Sequence, residues 1–140
     1  MMRQLQIDLV QKSWKKILPM KVAAAEIFYK RLFELDPTLR ELLEDNLIDY
    51  SETLIQMVDT AIEELNDWDQ LDPFAQVLGV KLAKFGVKEK NYETFGAALI
   101  STLMISLGAE LTEDIKSAWI AIYAELASTM KQAACELSIH

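Results

Sequence analysis

The sequence predicts an all-α fold, and three observations predict it. Apolar residues recur at intervals of three and four along most of the chain, which is the spacing of one helical face. Breakers are scarce: the 140 residues include only 4 glycines and 3 prolines, too few for a strand-and-turn architecture. No stretch reads as a credible strand. The chain is 51% hydrophobic and 26% charged, which suits a single domain over residues 1–140 with a sizeable core.

Six to eight helices follow in order. Residues 5–18 carry Ile7, Val10, Trp14 and Ile17 at helical spacing, and Pro19 interrupts them. Residues 20–34 form the second helix, with Ala24, Ile27, Phe28, Leu32 and Phe33 largely apolar. Asp36 then Pro37 is a cap followed by a first-turn proline, opening a short helix to about Leu43. "EDNLID" reads as a connection. Residues 49–66 repeat Leu54, Met57, Val58, Ala61, Ile62 and Leu65. "NDWDQLDP" reads as a turn-rich linker, and Asp72-Pro73 opens a helix that Gly86 stops. Residues 89–107 carry Tyr92, Phe95, Leu99, Leu103 and Leu107. Thr112, with Glu113 and Asp114 in an acidic first turn, opens the last helix, whose stripe is Ile115, Trp119, Ile122, Leu126, Met130 and Ala133.

Composition narrows the function. Net charge is −8 and lysine and arginine form no basic run, which argues against nucleic acid or an anionic membrane as partner. No run of about 18 apolar residues stands out, and the start, "MMRQLQIDLV", has no export signal, so a cytoplasmic home is expected. The single cysteine, Cys135, excludes an internal disulfide. The single histidine, His140, is the last residue and reads as a solvent-exposed tail, so a Ser-His-Asp set cannot be assembled. No GxGxxG string is present, and the acidic "DWDQLD" lacks metal-ligand spacing. An enzyme is not expected.

Four strings carry a resemblance. "QKSWKKILP" resembles the first helix of a globin. "FYKRLFELDPTLRELL" resembles the second and third helices of bacterial single-domain haemoglobins and flavohaemoglobin globin domains. "LGVKLAKFGVKEKNYETFGAALISTL" resembles their proximal segment, and "AWIAIYAELASTM" their last helix. The resemblance covers about residues 5–134 and implies a globin fold. It matches Trp14, Pro37 and Trp119 to packing positions, Tyr29 to the distal tyrosine that hydrogen-bonds a haem-bound ligand, and Tyr92 to the tyrosine beside the proximal pocket.

The departures fall on the haem chemistry. The resemblance places the iron-binding histidine where this chain has Leu82, and a haem-packing phenylalanine where it has Leu43. The distal glutamine or histidine falls near Ser51, with Tyr50 or Glu52 one residue away. A glutamate that assists the proximal histidine falls near Ala134, with Glu136 close by. Phe28, Ile55, Phe85 and Leu99 complete the equivalents of the haem site. Four changes together point to a haem-free lineage, so the expected cofactor is none, with haem under other ligation as the alternative.

Other iron ligands are costly. Lys81 or Lys84 would have to lose a proton, at about 4–5 kcal/mol at pH 7 from an ordinary lysine, and Tyr29 or Tyr92 as phenolate would cost roughly 4 kcal/mol. Tyrosine is nonetheless a known haem ligand. Met57 and Met104 read as core residues. Cys135, at the end of the last helix, reads as an incidental thiol rather than a tetrapyrrole attachment point of the phycobiliprotein kind. Without haem, Tyr29 and Tyr92 read as buried aromatics whose hydroxyls find a carbonyl.

A haem-sized void cannot stay empty. At about 24 cal/mol per Å³, a few hundred Å³ would cost on the order of 7 kcal/mol, most of a domain's stability. Either Met57, Met104, Phe28, Phe85 and Phe95 repack inward, or an apolar small molecule such as a fatty acid fills the site. The expected function is a haem-free sensor or protein-interaction module that pairs as a homodimer through its last two helices. The alternative is a haem protein for oxygen or nitric oxide.

Overall fold

Most of the predicted stripes become helices. The computed structural model describes residues 2–41, 51–84 and 86–139, with side chains throughout these except at 2, 3, 51–55, 57 and 137–139. Helix α1 spans Met2–Ile17 and passes through a 3-10 turn at Leu18–Met20, which holds Pro19, into α2, Lys21–Leu35. Asp36 ends α2 by donating its N–H to the Leu32 carbonyl at 3.0 Å. Its carboxylate opens α3 (37–41) by accepting the Thr38 N–H at 3.1 Å and the Thr38 hydroxyl at 2.6 Å. Helix α4 is Ser51–Glu63, closed by a 3-10 turn at Glu64–Asn66.

The expected linker at "NDWDQLDP" is instead helical. Helix α5 spans Trp68–Lys84, with Pro73 inside it. The Asp67 carbonyl accepts from Gln70 N–H at 3.1 Å and Leu71 N–H at 3.0 Å, which starts the helix before the proline. Burial explains the difference: Leu71 is fully buried and Trp68 packs on the same core, and their apolar contact outweighs the turn chemistry of the acids around them. Helix α6 is Asn91–Leu107 and α7 is Glu113–Ile139, joined by a 3-10 turn at Gly108–Glu110. The Thr112 hydroxyl caps α7 by accepting from Ile115 N–H at 3.2 Å.

The helices pack around two clusters. In the first, Ile7, Val10 and Ile17 of α1 meet Ile62, Leu65, Leu71, Leu103, Trp119 and Ile122. In the second, Tyr29 and Leu32 of α2, Leu39 of α3, Val87, and Tyr92 and Ala98 of α6 meet Ala127 of α7. Helix α7 runs through both. It comes close to α5 at Gly79, where a Cβ would stand 2.7 Å from Met130 Cα and 2.9 Å from Met130 C. By length and apolar composition Asn91–Glu110 matches a membrane-crossing helix; in the fold α6 is packed against α2 and α7.

Candidate functional site

The segment that ends α5 places Leu82. Gly86 adopts φ 97°, open to glycine at no steric cost. Gly86 N–H bonds to the Ala83 carbonyl at 3.0 Å and Val87 N–H to the Leu82 carbonyl at 3.0 Å, the paired bonds of a Schellman stop. The α5–α6 corner is then tied across the molecule. Asn91 is buried; its Oδ1 accepts from Lys88 N–H at 2.8 Å, and its Nδ2 donates to Asp36 Oδ2 at 3.2 Å. One carboxylate thus joins the start of α3 to the start of α6.

Leu82 packs on the second cluster, as do Phe28, Phe33, Phe95, Tyr123 and Met130. The aromatic rings there form a chain from α2 to α6. Phe33 stacks on Tyr29 at 6.3 Å, Tyr29 meets Phe28 edge-on at 5.8 Å, Phe28 stacks on Phe95 at 6.4 Å, and Phe95 meets Tyr92 edge-on at 6.1 Å. Burial holds the tyrosines protonated: Tyr29 is pushed up to about 12, and Tyr92 and Tyr123 shift in the same direction, Tyr123 with a further push from Tyr92. The Tyr123 hydroxyl donates to the Tyr92 carbonyl at 2.6 Å. The Tyr92 hydroxyl is buried with no hydrogen-bond partner among the described residues.

The structure therefore gathers four of the predicted site residues, Phe28, Tyr29, Leu82 and Tyr92, around one cluster. Leu99 goes elsewhere: it packs on the first cluster and lines a groove between α6 and α7. Leu43, Tyr50 and Phe85 lie outside the described residues, as does His140; Ser51, Glu52, Ile55 and Met57 lie in α4 with side chains outside them. Met104 is not core as expected but 54% exposed, because it faces outward on α6. Lys81 and Lys84 are exposed.

Three participants carried no clear sequence signal. Asn91 looked like any residue of a polar "KEKN" turn, and Tyr123 and Gly79 matter only because α7 lies against α6 and α5. The groove holds about 380 Å³ and runs past Tyr92, Gly96, Ile100, Ile120, Tyr123 and Lys131.

The donor set can be weighed against a haem iron. Leu82 has no lone pair to offer. Deprotonating Tyr29 from about 12 at pH 7 costs about 7 kcal/mol. The described residues of this cluster do not fit an iron held from α5.

Comparison with known proteins closes the argument for the family. The chain is 27% identical to a neuroglobin of Tetraodon nigroviridis over 139 aligned residues, covering 89% of this chain and 87% of that protein. It is 27% identical to a neuroglobin of Danio rerio over 136 residues, covering 87% and 86%. A hexacoordinated haem protein from an anhydrobiotic tardigrade, solved at pH 4, shares the fold with a TM-score of 0.80 at 18% identity, covering 91% of this chain and 92% of that one. The globin family model matches residues 26–130, and with the helix order and the packing above, the chain belongs to the globin family.

Proposed function

We propose that this chain is a haem-free globin that serves as a sensor or protein-interaction module in the cytoplasm. One observation carries the reading. The position that the resemblance to bacterial haemoglobins assigns to the iron ligand is Leu82, and the chain's single histidine is its last residue. The surroundings support it: Leu82 packs on an apolar, aromatic cluster whose phenols stay protonated. The hydroxyl of Tyr92, which the resemblance sets beside the proximal pocket, is buried with no hydrogen-bond partner among the described residues. An apolar small molecule is the ligand such a module would take.

The module pairs with a second copy through the outer faces of α6 and α7. Met104, Ile105 and Ile120 are 54%, 64% and 49% exposed there, next to the α6–α7 groove. Helix α6 has 17 residues, about 25 Å of length, and two such helices offer a face of the order of the ~800 Å² per partner that a stable dimer buries. Sedimentation should show a dimer that Ile120→Glu splits.

A second reading, a haem protein for oxygen or nitric oxide with a ligand other than histidine, is favoured by the family and by Tyr29, which the resemblance matches to the tyrosine that hydrogen-bonds a haem-bound ligand. One experiment separates the two: an absorption spectrum of protein expressed with added haem, with iron content and mass spectrometry of copurified molecules. Absence of a Soret band is the expected outcome. A Soret band with stoichiometric iron overturns the haem-free reading. Leu82→His, which restores a ligand, should raise haem uptake above that of the unchanged chain.

A further inference from the structure

The first 21 residues hold five of the chain's 14 lysine and arginine residues and only one of its 22 acids. They carry +4 while the rest of the chain carries −12. The fold displays this charge on one corner. Lys12, Lys15 and Lys16 are exposed along the last turns of α1, and Lys21 is exposed where α2 begins. Leu5, Lys12 and Lys16 stand seven and four residues apart, on one line of the helix.

Apolar side chains sit among these cations: Leu5 is 63% exposed, Met20 41% and Val22 60%. Lys16 pairs with Glu110 at 3.2 Å, whereas Lys12, Lys15 and Lys21 take part in none of the described ion pairs. The helix dipole favours Lys15 and Lys16 at the C-terminal end of α1, but it gives no reason for the bare Met20 and Val22 on either side of Lys21, or for Leu5 two turns before Lys12.

We propose that this corner docks an acidic polypeptide segment that carries apolar side chains between its carboxylates. The inference rests on the reading of the chain as an interaction module and names the chemistry of its partner. Charge complementarity selects the occupant. A narrow acidic segment meets chiefly the cations within a Debye length, about 8–10 Å, with Asp8 on α1 and the Lys16-paired Glu110 as the acids there, and escapes the many acids elsewhere. A broad anionic bilayer faces a protein of net −8 and meets more of that repulsion. Helix α1, with 16 residues and about 24 Å of length, sets the size of the segment, from about 7 residues if extended to about 16 if helical.

The test is fluorescence anisotropy of the full chain with a labelled synthetic peptide of about 16 residues, glutamate with leucine at every third or fourth place. Saturable binding that weakens ~tenfold or more between about 50 and about 300 mM salt is expected. The triple variant Lys12→Glu, Lys15→Glu, Lys21→Glu should lose at least ~tenfold in affinity, with an unchanged circular dichroism spectrum. If it fails to fold, Lys12→Gln with Lys21→Gln replaces it and should lose part of the affinity. Met20→Ser with Val22→Ser should weaken the glutamate-leucine peptide and leave an all-glutamate peptide unchanged. No saturable binding, or equal affinity in the charge variants, overturns the proposal. Tighter binding to phosphatidylglycerol vesicles than to the peptide overturns it in favour of a lipid surface. The readout involves no absorption of haem, so a Soret band in the unchanged chain would sink the haem-free reading and leave this result standing.

Discussion

Around Trp119 on α7, the polar groups of Ser13, Trp14 and Trp119 are matched. Trp119 donates its indole N–H to Ser13 at 2.8 Å, and the Ser13 hydroxyl lies 2.8 Å from the Leu9 carbonyl and 3.0 Å from that of Val10. Trp14 donates to Asp59 at 2.7 Å and lies 6.3 Å from the Trp119 ring. One turn further along α7, Tyr123 reaches the Tyr92 carbonyl, but the Tyr92 hydroxyl is buried without a partner among the described residues. An unmatched buried hydroxyl costs roughly 1–3 kcal/mol, so it marks a place where packing was not optimised for stability alone. The first region reads as a scaffold. The second carries the unmatched Tyr92 hydroxyl, and it is also the region where Leu82 sits.

The comparison can be broken most forcefully at the scaffold. Trp119→Ala removes the largest buried side chain of the first cluster and strands Ser13, and should cost about 3–5 kcal/mol in urea unfolding followed by circular dichroism. A loss below about 1 kcal/mol would mean that the two clusters do not divide the work as described.

Next comes Gly79→Ala. Its Cβ would meet the Met130 backbone, so α5 must move off α7, at about 1–3 kcal/mol. The change should appear in the tyrosine near-ultraviolet signal of the second region.

A matched pair sharpens the contrast. Ser13→Ala leaves the Trp119 N–H stranded and should destabilise by about 1–2 kcal/mol, whereas Tyr92→Phe removes an orphaned group and should be neutral or stabilising by up to about 1 kcal/mol. If Tyr92→Phe destabilises like Ser13→Ala, the hydroxyl has a partner in solution.

The smallest effect at neutral pH is electrostatic. Burial raises Tyr29 to about 12 and moves Tyr92 and Tyr123 upward, so the unfolded chain releases phenolic protons first as pH climbs past 10. The stability they contribute is intact below pH 10 and is lost as pH rises through the folded values, up to about 2–3 kcal/mol for Tyr29. An alkaline titration at the phenolate absorbance should show these three of the 4 tyrosines ionising above the free value until the chain unfolds.

Much of this was legible in the chain. Ile7, Val10 and Ile17 were placed on a buried face by spacing alone, and all three are buried. The Thr112 cap and the Gly86 stop were readable because both are local: a side-chain oxygen three residues from an N–H, and a glycine that tolerates φ 97°. Gathering Phe28, Tyr29, Leu82 and Tyr92 into one site came from the family resemblance, since no local pattern joins residues more than fifty positions apart.

The misses share one cause. The helix through Pro73 was hidden because Leu71 is fully buried by residues distant in sequence, and that contact overrides a turn-rich composition. Met104 sits in an apolar stripe, but α6 is apolar on more than one face, so periodicity could not say which face would be left bare. Most helices and the Thr112 and Gly86 caps depend on neighbours along the chain, and net charge on composition, so the residues alone determined them; the first turns of α5 were not so determined. The Asn91–Asp36 tie, the orphaned Tyr92 hydroxyl and the close approach at Gly79 depend on how α2, α5, α6 and α7 meet, and packing between distant segments decided them.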